Sequence, residues 1–135
     1  MNSQLEALAA VGIVVLAAAL FERWRSYRAG RVALLATGRP AAQPYILYFT
    51  GEGCTVCKTH QEPALAKLGE VRVERVDAIA QRELAERYQV YTLPTTVVMA
   101  PDGRAVHVNY GYAPAPKLQR QLAEAGGAFG VTATA

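Results

Sequence analysis

Gly51-Glu52-Gly53-Cys54-Thr55-Val56-Cys57-Lys58 follows an apolar run, Tyr45-Ile46-Leu47-Tyr48-Phe49, and opens an amphipathic one. The only two cysteines of the chain sit in it, two residues apart. That spacing allows two chemistries: a dithiol that cycles to a disulfide, or half of a metal site. A strand that ends in a loop, with the first cysteine opening a helix, favours the first. Free backbone N–H groups and the positive end of the helix dipole stabilise a thiolate there. Cys54 is therefore the expected nucleophile. Cys57, one turn further in, is the expected resolving thiol. The metal alternative uses Cys54, Cys57 and His60 as C-x2-C-x2-H, and zinc would want a fourth ligand. The only other histidine is His107, which reads as an exposed strand residue.

The chain has 135 residues and a net charge of +3. That length suits one ordinary domain with something left over. Two cysteines are too few for a disulfide scaffold. The charge is concentrated: Arg23, Arg25, Arg28, Arg31 and Arg39 lie in one short arm, and from Pro40 onward acids and bases balance. A neutral domain argues against nucleic acid as a partner.

Ahead of the arm, Ala7 to Phe21 reads ALAAVGIVVLAAALF, without a charge. As a helix this run is about 22 Å long, short of the ~30 Å hydrocarbon core. Leu5, Trp24 and Tyr27 extend it, the aromatics at the interface and the arginines snorkelling. The reading is an uncleaved membrane anchor. A signal peptide would need a basic n-region, which is missing. A soluble helix would have to explain an apolar surface all round it. The expected organisation is an anchor over 1–27, a basic juxtamembrane linker over 28–43, one domain over 44–125 and a flexible tail over 126–135. Val32–Ala36 within the linker is either a stub strand or continued helix. The linker arginines suit anionic headgroups of the lipid bilayer. Basic flanks stay on the cytoplasmic side, so the domain is expected to face the cytoplasm; the alternative is the extracytoplasmic face.

Within the domain, Tyr45–Thr50 is a short buried strand bounded by Pro44 and Gly51. A helix over Cys54–Leu68 places Cys57, Gln61, Ala64, Leu65 and Leu68 on one face, is kinked by Pro63 and ends at Gly69. Val71–Asp77 alternates as a half-buried strand. Ala80–Tyr88 is a helix. Thr95–Met99 is a β-branched run, and Val97–Met99 and Val106–Val108 form a hairpin through the Pro101-Asp102-Gly103-Arg104 turn. Lys117–Ala125 is the last helix. Tyr91, Tyr110 and Tyr112 read as packing residues. The order β-α-β-α-β-β-α gives an α/β domain with a mixed four-stranded sheet and helices on both faces.

From about Pro44 to Ala125 these residues resemble the thioredoxin family. The resemblance is carried by YILYFT, Cys54-Thr55-Val56-Cys57-Lys58, Asp77, Leu93-Pro94-Thr95, the turn through Asp102-Gly103, and Gly111. It implies a trimmed thioredoxin-like fold, reduced at its amino-terminal strand and helix, behind an anchor. It also implies a cis Leu93–Pro94 bond and a Pro94 packed beside the cysteines as part of the catalytic set. A cis X–Pro is uncommon and must be held in place. Leu93 would offer its backbone to a substrate chain as an edge strand does, with Gly53, Thr55 and Val56 completing the docking surface. Three positions depart from the family pattern: Gly53 where a tryptophan is usual, Tyr48 where a buried acid is common, and Val73 where a lysine is common. Pro63 also stands six residues after Cys57, where five is frequent. Without the buried acid, Glu52, His60 or water must take the Cys57 proton.

The expected activity is thiol–disulfide exchange of the protein-disulfide reductase type. It needs no cofactor beyond the cysteine pair. Its partners are disulfide-bearing proteins and a thiol/disulfide electron donor. An inert interaction module with the same fold is the alternative; the presence of both cysteines argues against it.

Overall fold

The computed structural model describes residues 2–33 and 38–133. Helix α1 spans Asn2–Ala33. Strand β1, Tyr45–Thr50, leads into a π-helical turn, Cys57–Gln61, and then helix α2, Glu62–Ala66. Strand β2 (Val73–Asp77), helix α3 (Arg82–Arg87), strand β3 (Thr95–Met99), strand β4 (Ala105–Tyr110) and helix α4 (Ala115–Ala133) follow.

Among the described residues the sheet has four strands in the order β2-β1-β3-β4. β1 and β2 are parallel, with Ile46 opposite Val73 and Thr50 opposite Asp77. β3 lies antiparallel to both β1 and β4, with a bulge at Val98/Met99. Every residue of β1 and β3 is buried. Such two-sided burial gives near-continuous apolar runs, because both faces are covered.

Side chains alternate across a strand, so β1 feeds two cores. Tyr45, Leu47 and Phe49 join Val97, Met99, Ala85 and Tyr88 on one face. Ile46 and Tyr48 join Cys57, Leu65, Val98 and Leu118 on the other. Phe49 is fully buried, a contribution of about 1.5–3 kcal/mol from its apolar surface. Arg75 on the edge strand β2 and Arg72 just before it lay their guanidinium groups over the Tyr48 and Tyr45 rings at 5.7 and 5.4 Å. Helix α4 is fixed by a buried amide pair. Asn109 Nδ2 donates to Gln121 Oε1 at 2.7 Å and to Thr96 Oγ1 at 3.2 Å, and Gln121 Nε2 donates back to Asn109 Oδ1 at 3.0 Å.

Several extents differ from the sequence reading: β2 begins at Val73 and not Val71, α3 covers Arg82–Arg87 and not Ala80–Tyr88, and β4 covers Ala105–Tyr110 and not Val106–Val108. Three further differences bear on how the domain is held. First, α1 does not give way to linker at Arg28. Arginine and alanine are good helix formers, and the helix runs on to Ala33, which is fully buried in the core with Tyr45 and Met99. Residues 34–36 of the ambiguous apolar patch lie outside the described residues. Past them, the Gly38 N–H donates to Gly103 O at 2.7 Å and the Ala41 N–H to Pro101 O at 2.8 Å. Second, the helix after β1 ends at Ala66, and Gly69 takes a positive φ of 75° just beyond it. Third, α4 continues past Ala125 to Ala133. Gly126 and Gly127 are not in the left-handed conformation that ends helices.

Helix α3 closes on a signal absent from its composition. Gln89, not glycine, takes the left-handed conformation at φ 55°. The Val90 N–H then donates to Ala85 O at 2.9 Å, a Schellman closure that turns the chain toward Tyr91.

Candidate active site

The loop after β1 delivers the cysteines to a helix N-terminus. The Cys54 N–H donates to Gly51 O at 3.2 Å, closing the turn, and the Lys58 N–H donates to Cys54 O at 3.4 Å, starting the helix. Cys54 and Cys57 are joined as a disulfide with Cα atoms 5.3 Å apart. Cys54 is half-buried and Cys57 fully buried. The Cys57 N–H donates to Cys54 Sγ at 3.2 Å. A backbone N–H aimed at a sulfur favours, in general, the anionic over the neutral form of a thiol. Lys58 Nζ donates to Glu52 O at 3.2 Å and holds a positive charge at the rim.

Cys54 opens into a groove of about 510 Å³. Gly51, Glu52 and Gly53 form one wall, Ala78 and Ile79 another, and Tyr91 to Leu93 the third. Asp77 shapes the second wall: its Oδ1 accepts from the Ile79 and Ala80 N–H groups at 2.9 and 3.0 Å. The Ala80 and Ile79 N–H bonds lower its carboxyl pKa. Gly51 lets the third wall close in, since a Cβ there would meet Leu93 Cδ1 at 3.0 Å. The Leu93–Pro94 bond is cis. Pro94 is buried, and its carbonyl accepts from the Gly111 N–H at 2.8 Å.

The π-helical turn sets what lies beneath. Pro63 has no N–H to give the Thr59 carbonyl, and its ring would crowd that oxygen in an α-helix. The chain widens upstream instead, and the Glu62 N–H reaches back five residues to Cys57 O. Gln61 is thereby turned inward and fully buried. Its Nε2 donates to Ala113 O at 3.0 Å, and its Oε1 accepts from the Ala113 N–H at 2.9 Å.

The structure gathers Cys54, Cys57, Glu52, Gly53 and Leu93 into one site and leaves Thr55 and Val56 exposed beside it. His60 lies elsewhere. It contacts Thr59 Oγ1 at 2.8 Å and the Tyr112 ring edge-on at 5.8 Å, in a separate groove with Pro63 and Pro114. Among the described residues, no three His, Cys, Asp or Glu side chains are placed to share a metal ion.

Tyr48 occupies the sheet face behind Cys57 and is 1% exposed. Its hydroxyl has no hydrogen-bond partner of normal geometry among the described residues, although the Thr50 side chain approaches it. Burial raises its pKa. A carboxylate does reach this face from α2. Glu62 Oε1 accepts from Arg75 Nη1 at 2.7 Å, and its Oε2 is buried without a partner among the described residues. Ile79, Tyr91 and Glu62 were not singled out from the sequence as site residues. The Tyr91-Thr92-Leu93 approach to Pro94 held a signal for Tyr91; nothing local marked the other two.

A family model described as a thioredoxin-like domain matches residues 34–126. The chain belongs to the thioredoxin-like family. No curated relative matches it by sequence. Among solved structures, the thioredoxin of Fasciola hepatica is similar at 30% identity and TM-score 0.52, over 62% of this chain and 82% of that one. A thioredoxin variant from Halobacterium salinarum is similar at 25% identity and TM-score 0.57, over 62% and 75%. Thioredoxin-2, a component of the malaria parasite protein secretion machinery, shares the fold at 18% identity and TM-score 0.56, over 67% and 98%. The thioredoxin-like domain and its cysteine pair support a thiol–disulfide redox role in general. Ahead of the domain, α1 is long and apolar enough to cross a membrane, and its apolar stretch is not buried within the molecule.

Proposed function

We propose that this protein is a membrane-tethered thiol–disulfide oxidoreductase that reduces disulfides in protein substrates. The observation that carries the reading is the asymmetry of the pair. Cys54 is reachable from the groove and accepts the Cys57 N–H, while Cys57 is sealed beneath it.

In the dithiol state, Cys54 thiolate attacks one sulfur of the substrate disulfide. That S–S bond breaks, a mixed disulfide forms, and the other substrate sulfur leaves as a thiolate and takes up a proton. Cys57 then loses its proton and attacks Cys54, which releases the reduced substrate and leaves the Cys54–Cys57 disulfide. Two electrons pass to the substrate, and a thiol donor restores the dithiol. Leu93, Gly53, Thr55 and Val56 dock the substrate chain, and Pro94 holds the loop that presents Leu93. Thr55-Val56 adds no charge or histidine that would strongly destabilise the disulfide, which favours the reductase direction. Glu52 is the rim group available to tune the pair; His60, turned toward Tyr112, is a less direct candidate.

Helix α1 is read as a single span, with the arginine arm keeping the domain on the cytoplasmic face. Cys57→Ser should accumulate mixed disulfides through Cys54, and Cys54→Ser should not; equal trapping by both variants would defeat the assignment. Labelling of Cys54 in intact cells by a membrane-impermeant maleimide after mild reduction would place the domain on the other face.

A further inference from the structure

Helix α1 is docked on the domain, and the order of its contacts fixes which end of the domain lies nearer the apolar run. Ser26 Oγ is hydrogen-bonded to the Tyr91 hydroxyl. The Arg25 guanidinium sits 4.9 Å from the Tyr91 ring centroid. Tyr91 stacks on Tyr110 at 4.7 Å, and Gly30 lies against Tyr110. Ala33, further along, enters the core, and Gly38 reaches Met99 and Gly103 at the opposite end of the sheet. The chain therefore meets the active-site end first, through α1 at Tyr91, and the far end last, through Gly38 beyond the helix.

Tyr91 is also a wall of the Cys54 groove. A second depression, between α1 and the domain, holds Trp24, Arg28 and Val32 and shares Val90 and Tyr91 with that groove. One continuous surface thus leads from the end of the apolar run to the nucleophile. Beside Glu52 and Lys58, its rim carries two exposed apolar side chains: Ile79 is 79% exposed and Val56 44%.

We propose that the groove opens toward the bilayer surface and takes a disulfide in the juxtamembrane segment of an integral membrane protein. This rests on the membrane-tethered reading above. Ser26 is five residues past Phe21, about 7–8 Å of helix. Adding the breadth of the groove, roughly 8 Å for about 510 Å³, puts Cys54 about 15 Å beyond Phe21, and headgroups fill about 5–8 Å of that. The remaining gap is narrower than a small folded domain, about 30 Å across. It admits an extended chain, which pairs with the Leu93 backbone as an added strand. The exchange is the one written above: the segment's S–S bond is reduced, the Cys54–Cys57 bond forms, and a thiol donor regenerates the dithiol.

The test uses the full chain in vesicles of phosphatidylcholine and phosphatidylglycerol. Flotation establishes that the protein is in the bilayer; a protein that stays behind refutes the tether and, with it, this inference. Two substrates carry the same disulfide peptide on a single transmembrane helix, one on a spacer of about 5 residues, just long enough to reach roughly 15 Å when extended, and one on a flexible spacer of about 40 residues, roughly 35 Å in mean reach. The short-spacer substrate should be reduced roughly tenfold faster or more, as effective concentration dictates. Arg25→Ala/Ser26→Ala, which removes the contacts of α1 with Tyr91 while Ala33 stays in the core, should reduce the preference and leave the rate on free peptide unchanged. A fluorophore on Cys54 of Cys57→Ser should be quenched by headgroup-nitroxide lipid, and less so in the double variant. Flotation with equal rates on both substrates, a preference untouched by the double variant, or no quenching would each overturn the orientation while leaving the tether intact.

Discussion

Replacing Gln61 with methionine tests how the site is supported. The side chains are close in volume, so little cavity forms; the change removes hydrogen bonding. Gln61 and Ala113 are both fully buried. The wild-type amide satisfies both backbone groups of Ala113, at 2.9 and 3.0 Å. Gln61→Met orphans one N–H and one C=O away from water, each at about 1–3 kcal/mol. Partial relaxation leaves an expected loss of about 2–4 kcal/mol, a large share of the 5–15 kcal/mol typical of a domain. The assay is urea denaturation of the full chain in micelles, with hydrogen exchange read at the Ala113 amide. Exchange should speed up at Ala113 and across Cys57–Gln61, because the widened turn loses its tie to the β4–α4 loop. A loss below about 0.5 kcal/mol with unchanged exchange would refute this account of the turn.

Gly103→Ala should cost about 2–3 kcal/mol, read as a lowered thermal midpoint, because φ is +89° and a Cβ would meet Gly38 O at 2.5 Å. Gly53→Ala, with open space around its Cβ, should change stability by less than about 0.5 kcal/mol in the same measurement. Tyr48→Phe removes a buried hydroxyl that lacks a good partner, so denaturation should show anything from no change to a gain of about 1 kcal/mol; a clear loss would mean that the hydroxyl is paired. Burial pushes the Tyr110 phenol up to about 12 and also raises Tyr45, Tyr48 and Tyr88. The fold favours their neutral forms. That stability is whole below the unfolded pKa of about 10 and is lost as pH climbs through the folded values. Denaturation midpoints should hold steady up to about pH 10 and then fall toward pH 12, with tyrosinate absorbance lagging behind free tyrosine; a decline beginning near neutrality would argue against this cause.

The sheet was legible where burial and backbone chemistry agree. Tyr45–Thr50 and Thr95–Met99 are central strands covered on both sides, so their apolar runs match their observed bounds residue for residue. The cysteine spacing carried the site because its chemistry is local: one turn of helix sets exposed against buried. Other features depended on distant chain. Ser26 and Gly30 carry no sign of a partner until Tyr91 and Tyr110 arrive, 65 and 80 residues later, to receive them. Ile79 is of a residue type more often buried than exposed, yet the Asp77 turn exposes it in the groove. Pro63 signalled a disturbed helix; that the disturbance is a widened turn that buries Gln61 depends on the Ala113 backbone, 52 residues away.

The amide pair between Asn109 and Gln121 also bears on how α4 finds its place. The inner face of that helix is Leu118 and Ala125 with Leu122 at its edge, and small aliphatic side chains resist sliding only weakly. A slip of one turn along the axis would set Lys117 or Ala125 opposite Asn109. The first buries an ammonium, and the second strands the Asn109 carboxamide with half its partners gone. Neither alternative can rebuild the two-way exchange of N–H and C=O. A pair of uncharged residues thus works as a vernier: it contributes little to the depth of the native basin and much to the uniqueness of the alignment within it.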